Sequence, residues 1–304
     1  MLYINDIVDV VKDEDDLGLH LFADDTLVYG SSGNIELLVT RINSVLNEIE
    51  LYCRKNLLQV NKSKTKYNVI GKENIRQSFL GNLHTVMVGS EALDSVTKIK
   101  YLGVIIDNKM SFKEHCNLTI SKISYGINHL GRCSHSLSKW SKLVVFNTLV
   151  LPHFTYCATI LYMLQQNEIN RLQKMQNRAM RIILTCDKYT AIKSMLRQLQ
   201  WLPVQEFFRY NVLVFIFKMR IGDAPSYLRN KLTVNNQVHD HDTRQQQNFY
   251  IPRRSKKLAA NSVFFRGLDD FNKLPNDIKN SSSLENFKRN LKLFLLSEND
   301  LLVA

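Results

Sequence analysis

Two adjacent carboxylates, Asp24 and Asp25, stand between short runs in which apolar and polar residues alternate. The runs are Leu19-His20-Leu21-Phe22 and Thr26-Leu27-Val28-Tyr29. Alternation with a period of two marks half-buried strands, and two such runs meeting at adjacent aspartates predict a β-hairpin with the carboxylates at its tip. Like charges in one tight turn repel, so a fold tolerates them best where a cation or water relieves the repulsion. Aspartate is also common in turns for its own backbone hydrogen bonds, which leaves a solvated turn as the alternative.

After Gly30-Ser31-Ser32-Gly33, apolar residues fall at Ile35, Leu38, Val39, Ile42, Val45, Leu46, Ile49, Tyr52 and Cys53. This is helical spacing, and a helix directly after a hairpin suits an α+β layer in which it covers the back of the sheet. The pattern then becomes extended around a basic turn at Asn61-Lys62-Ser63-Lys64-Thr65, with a short strand expected at Tyr67–Gly71. Val86–Gly89 and Ile99–Asp107 read as a second hairpin with a longer connection. From Ser111 the periodicity is helical, with buried faces expected around Ile120–Leu130, Leu143–Val150, Ile169–Ile183 and Val212–Met219. Pro152 is expected to stop the second of these helices. A polar stretch over 234–248 reads as a linker, and its His239, Asp240, His241 and Asp242 lack the further ligands of a metal site. The last segment ends in an expected helix with a capping box from Ser282 to Glu285 and basic Lys288, Arg289 and Lys292 outside. Arg171, Lys174, Arg178 and Arg181 recur at steps of three and four, forming one basic stripe along a helix that could follow phosphates or merely be a solvated face.

Forty Lys and Arg against 28 Asp and Glu give a formal charge of +12, which favours a polyanionic partner. The five cysteines are scattered and form no Cys-x-x-Cys pair, so neither a disulfide framework nor a zinc knuckle is supported. No secretory leader is recognisable at Met1–Asp6, and no apolar run reaches the ~18 residues a membrane span needs. The expectation is an intracellular chain, nuclear or cytoplasmic, with no membrane contact.

In order and spacing these elements resemble the later palm motifs of reverse transcriptases from non-LTR retrotransposons, the jockey-like group in particular. Phe22-Ala23-Asp24-Asp25 resembles the polymerase metal box, and Leu2-Tyr3-Ile4-Asn5-Asp6-Ile7 its lead-in. Asn61–Thr65 resembles the next motif, and Lys100-Tyr101-Leu102-Gly103-Val104-Ile105-Ile106-Asp107 the element leading into the thumb. Further stretches are similar to those after the palm: Leu151–Tyr156, Gln173–Ala179, Leu202-Pro203, Phe271–Pro275 and Phe287–Lys292. The family commonly has Trp where this chain has Phe271. The resemblance covers essentially the whole chain.

It implies an α+β fold: a truncated polymerase palm of β-hairpins and a packing helix over 1–107, then a helical thumb-like region over 108–233. The linker over 234–248 and a family-specific segment over 249–304 would follow. Asp24 and Asp25 would be metal ligands and catalytic residues, with Lys64 approaching the triphosphate. Tyr101 and Gly103 would help place the primer end, and Arg171, Lys174, Arg178 and Arg181 would contact the duplex. The cofactor would be Mg2+, with Mn2+ as a substitute, and the partners an RNA template, a DNA primer and a deoxynucleoside triphosphate. In such enzymes another aspartate, on an earlier palm strand, completes the metal site. Only 23 residues precede Asp24, and Asp9, Asp13, Asp15 and Asp16 lie in loop-like surroundings. The expectation is a fragment of the enzyme, inactive alone. The alternatives are a non-catalytic basic nucleic-acid-binding remnant and a chain unable to fold.

Overall fold

Helix α1, Ile35–Lys55, is apolar on two sides, and this organises the first part of the molecule. The structure, a computed structural model, describes residues 6–9, 17–81, 84–235, 248–251 and 262–302. It divides the chain into two compact units, Met1–Ser111 and Phe112–Ala304.

In the first unit, strands β1 (Leu17–Phe22) and β2 (Asp25–Gly30) pair antiparallel, from Leu17 opposite Gly30 to Phe22 opposite Asp25. Leu17, Leu19 and Leu21 alternate onto the face that packs with Val28 against Val45, Ile49 and Cys53 of α1, and Ile7 joins this cluster. Asn34 caps α1 by accepting from the Leu37 N–H at 3.2 Å. Glu36 in the first turn and Arg54 and Lys55 in the last complement the helix dipole. The other side of α1 presents Val39 to a second cluster of Phe79, Val86, Val88 and Leu93. Phe79 comes from helix α2 (Glu73–Gly81) and Val88 from strand β4 (Met87–Val88), with Tyr67 of strand β3 (Lys66–Tyr67) packed beside them. Val86 immediately precedes β4, and Leu93 lies between the exposed strands β5 (Glu91–Ala92) and β6 (Asp94–Ser95). Strand β3 pairs parallel with β6.

The second hairpin expected from the sequence is two hairpins. Strand β4 turns back at once on β5, because Gly89 adopts a φ of +61° that closes the chain after Val88. Strands β7 (Lys98–Tyr101) and β8 (Val104–Asp107) pair with each other. Of the strand expected at 67–71, only Tyr67 is paired. Asn43 and Asn47 of α1 bind the backbone beside β4: the Asn43 amide donates to Thr85 O at 3.1 Å and accepts from Met87 N at 2.9 Å. Asn47 accepts from Gly89 N at 2.9 Å.

The second unit is helical. Its long helices are α3 (Lys113–Cys133), α4 (Lys139–Leu149), α7 (Gln166–Leu184) and α9 (Val204–Arg220). Shorter ones are α5 (Leu151–Thr155), α6 (Ala158–Leu161), α8 (Ile192–Leu199) and α10 (Ser226–Arg229). After a π-helical turn at Val263–Gly267 come α11 (Leu268–Asn272), α12 (Asn276–Lys279) and α13 (Leu284–Glu298). Ile123, Ile127, Leu130, Leu172, Met180 and Ile183 are fully buried and join α3 to α7. Gly126 lets α3 approach the end of α4, since a Cβ there would meet Leu149 O at 2.9 Å. Helix α4 stops at Leu149, but Pro152 opens α5, in a first turn where its missing N–H has no partner to lose.

The C-terminal segment packs into this same unit. Phe287 of α13 stacks on Phe217 of α9 at 4.0 Å and 8°, and Phe271 closes the group at 6.1 Å. The cap of α13 is Ser283, which accepts from Asn286 N at 3.2 Å, one residue beyond the Ser282 expected. The stretch expected to be a linker begins and ends side by side, with Val234 bridged to Phe249. His239, Asp240, His241 and Asp242 lie outside the described residues.

Candidate functional site

The β1–β2 connection is the two-residue turn Ala23-Asp24. Such tight turns match the twist of the strands when the chain enters the left-handed region, and Ala23 does so at φ 54°. Asp24 therefore sits at the tip and Asp25 begins β2, both exposed. Neither carboxylate accepts a hydrogen bond or forms an ion pair among the described residues, so their oxygens remain available to a hard cation. Two carboxylates fit part of one magnesium shell and not two ions. Among the described residues no group of three His, Cys, Asp or Glu side chains could hold a metal ion. Asp13, Asp15 and Asp16 lie outside the described residues. The outer face of the hairpin carries Phe22, 62% exposed, and His20 stacked on Tyr29 at 5.0 Å.

The Asn61–Thr65 turn is built around its first residue. Asn61 Oδ1 accepts from the Ser63 hydroxyl at 2.8 Å and from Lys64 N at 3.2 Å, while its carbonyl takes Thr65 N at 3.0 Å. The nearby lysines differ in what they meet. Lys62 pairs with Glu50 at 3.0 Å and Glu91 at 3.4 Å, an arrangement that raises its pKa and lowers that of Glu50. Lys66 pairs with Asp94. Lys64 is exposed and has no ion pair among the described residues.

Tyr101 ends β7, and Leu102-Gly103 form the turn into β8. Leu102 and Gly103 both have positive φ, 45° and 79°, so Gly103 serves the turn itself. Burial pushes the Tyr101 phenol above its ordinary pKa, and the Asp25 charge adds to this.

In the second unit the basic stripe lies on α7. Arg171 donates to Asn117 Oδ1 and Arg178 to Asn128 Oδ1, each at 2.8 Å, so α3 holds both guanidinium groups at the surface. Lys174 is exposed between them. Arg181 differs: it is half-buried and donates to the Lys188 carbonyl at 3.3 Å. Tyr125, 68% exposed, stands on α3 between the two asparagines in sequence, edge-on to His129 at 4.3 Å. Asn117, Asn128 and Tyr125 were not singled out from the sequence. Asn117 and Asn128 are eleven residues apart, three helical turns, and this spacing was the available signal.

Two stretches distant in sequence meet in the same unit. Gln176 donates to Leu202 O at 2.9 Å, and Gln173 accepts from Val204 N at 2.8 Å. The polar face of α7 thereby docks the Leu202-Pro203 entry to α9. Phe271 is buried, and Asn272 grips Phe249 by donating to its carbonyl at 2.8 Å and accepting from its N–H at 2.9 Å.

A probable RNA-directed DNA polymerase from transposon BS of Drosophila melanogaster is 26% identical over 196 residues, 62% of this chain. The chain is related to transposon RNA-directed DNA polymerases. A second relative, a probable RNA-directed DNA polymerase from transposon X-element of the same fly, is 26% identical over 104 residues, 33% of the chain. The matches span 21% and 12% of those proteins, so the chain corresponds to a small part of each. No protein-family model matches. Among the described residues no helix is long and apolar enough to cross a membrane.

Proposed function

We propose that the chain is part of the reverse transcriptase of a non-LTR retrotransposon, its first unit carrying the latter half of a polymerase palm and its second a thumb-like helical body. What carries this reading is the similarity to two transposon RNA-directed DNA polymerases; the exposed Asp24 and Asp25 at the end of the β1–β2 hairpin, unpaired among the described residues, agree with it. Asp24 and Asp25 hold one magnesium ion, with manganese as a substitute, and Lys64 is the cation of its turn left available for the triphosphate. Bound magnesium supplies charge neutralisation at the phosphates. Tyr101 positions the primer end, and Arg171, Lys174 and Arg178 grip the phosphates of a template–primer duplex. Arg181 is spent on the Lys188 carbonyl and contributes less.

A polymerase metal pair needs more negative charge than two carboxylates. We therefore infer that these 304 residues bind nucleic acid without adding nucleotides, and that catalysis requires a carboxylate beyond Asp24 and Asp25. The test is primer extension on an RNA template with magnesium or manganese, comparing the native chain with Asp24→Ala, alongside fluorescence anisotropy of the same duplex. Binding without extension is the expected result. Extension abolished by Asp24→Ala overturns the inferred inactivity, and absence of any salt-sensitive binding overturns the functional reading.

A further inference from the structure

A cavity of about 250 Å³ opens in the second unit between α4, α5, α7, α9 and α13. Its walls are aromatic: Phe146 and Trp201, themselves stacked at 4.5 Å and 30°, with Phe207 and Tyr210. An apolar cavity of about 150 Å³ takes benzene, so this one admits a substituted flat ring. The amides beneath it are already committed, Gln176 to the Leu202 carbonyl and Gln200 to the Arg197 and Leu301 carbonyls. Three lining groups have no partner among the described residues: the Asn147 amide, the Tyr210 hydroxyl and the Lys292 ammonium. Burial holds the Tyr210 phenol above its ordinary pKa, so it stays a donor at neutral pH.

Flat walls, a neutral hydrogen-bonding edge and a cation at one place match the three parts of a nucleotide: ring faces, ring edge and phosphate. An aliphatic side chain would use only the walls. Lys288 and Arg289 on the same helix as Lys292 extend the positive charge along α13. Resting on the nucleic-acid-binding reading above, we propose that this cavity receives one unpaired base of a bound RNA strand, stacked against Trp201. The base lies on Trp201, whose other face is covered by Phe146; Asn147 and Tyr210 meet its edge, and Lys292 meets the adjoining phosphate. Stacking of this kind tolerates any base, since each has a π face.

Trp140 and Trp201 are the two tryptophans, and Trp140 is 73% exposed. The Trp140→Phe chain therefore carries one tryptophan, in the cavity wall, and excitation at the red edge of the absorption band reads it apart from the tyrosines. Titration with a fluorescently labelled single-stranded RNA decamer, read by both anisotropy and Trp201 emission, tests the proposal, with a blunt duplex as the comparison. The decamer is expected to quench Trp201 over the range in which anisotropy rises, and the duplex to bind without quenching. Combining Lys292→Gln with Tyr210→Phe should move the quenching midpoint at least about tenfold, the loss of one charged hydrogen bond. Arg178→Gln should weaken overall binding yet leave the quenching at saturation unchanged. Binding without quenching, or quenching indifferent to the double variant, overturns the base site alone. Quenching that grows with protein concentration in the absence of RNA assigns the cavity to a second copy of the chain and also overturns it. No anisotropy change with either nucleic acid defeats the binding reading itself.

Discussion

Replacing Arg171, Lys174 and Arg178 together by glutamine will flatten the salt dependence of duplex binding by a calculable amount. Arg171 and Arg178 stand seven residues apart on α7, about 10 Å at 1.5 Å per residue. One strand of a duplex places a phosphate every ~3.4 Å of axis, so the stripe covers about three phosphates. At about 0.9 ions released per phosphate, the three cations contribute a slope near −2.7 in log K against log salt. Between 50 and 200 mM salt that slope alone lowers affinity about fortyfold. The triple variant should lose this component and keep its fold, because glutamine matches Lys and Arg in helix propensity and the positions are exposed. The assay is anisotropy of a labelled RNA–DNA hybrid of about 16 base pairs, a length that outspans the stripe, at four salt concentrations. A slope unchanged within ~0.5 of the native value, from a variant with native thermal stability, would refute the assignment of α7 to phosphate contact.

Phe287→Ala removes a fully buried ring stacked on Phe217 and should cost about 3–5 kcal/mol, read as a fall in Tm on the order of 6–20 °C for a unit of this size. Indifference to it would mean the C-terminal segment is not part of that core. Ala23→Gly should stabilise the first unit by up to about 1 kcal/mol, because relief of left-handed strain exceeds the entropy glycine adds to the unfolded chain; chemical denaturation measures it. His115 is buried with neither ring nitrogen hydrogen-bonded among the described residues, and burial followed by the Lys122 charge lowers its pKa. The unfolded chain then binds the proton first, so His115 makes stability fall as pH drops below the ordinary ~6.5. His115→Leu should raise Tm and reduce that fall between about pH 6.5 and 5; thermal scans across that range would expose an unaltered profile as a failure.

The elements that were legible in the sequence are those whose period is long enough to average out. Helices α1, α3, α7 and α9 each repeat their apolar stripe over several turns, and the β1–β2 hairpin alternates on both sides of its turn. What escaped notice was decided by single residues or by contacts between distant ones. Gly89 splits the expected second hairpin in two through one backbone angle, and Asn43 and Asn47 take up backbone groups 42 residues away. The site divides in the same manner. Asp24 and Asp25 stood out through the strands that frame them, whereas the distinction between Lys62, Lys64 and Lys66 depends on Glu50, Glu91 and Asp94. Arg181 matched its neighbours in spacing and differs because the chain after α7 folds back beneath it. The tethers Asn117 and Asn128 are ordinary polar residues until α3 and α7 lie side by side.

The bridge between Val234 and Phe249, with Asn272 gripping the Phe249 backbone on both sides, makes one residue a meeting point for three stretches of the chain. The Phe249 ring also lies 5.3 Å from Phe271, which in turn reaches Phe287. Two neighbouring residues of α11 therefore recognise one position twice, Phe271 by its ring and Asn272 by its backbone. Such double recognition works as a registration mark: a slip of one residue at this point would forfeit the ring contact and both hydrogen bonds together.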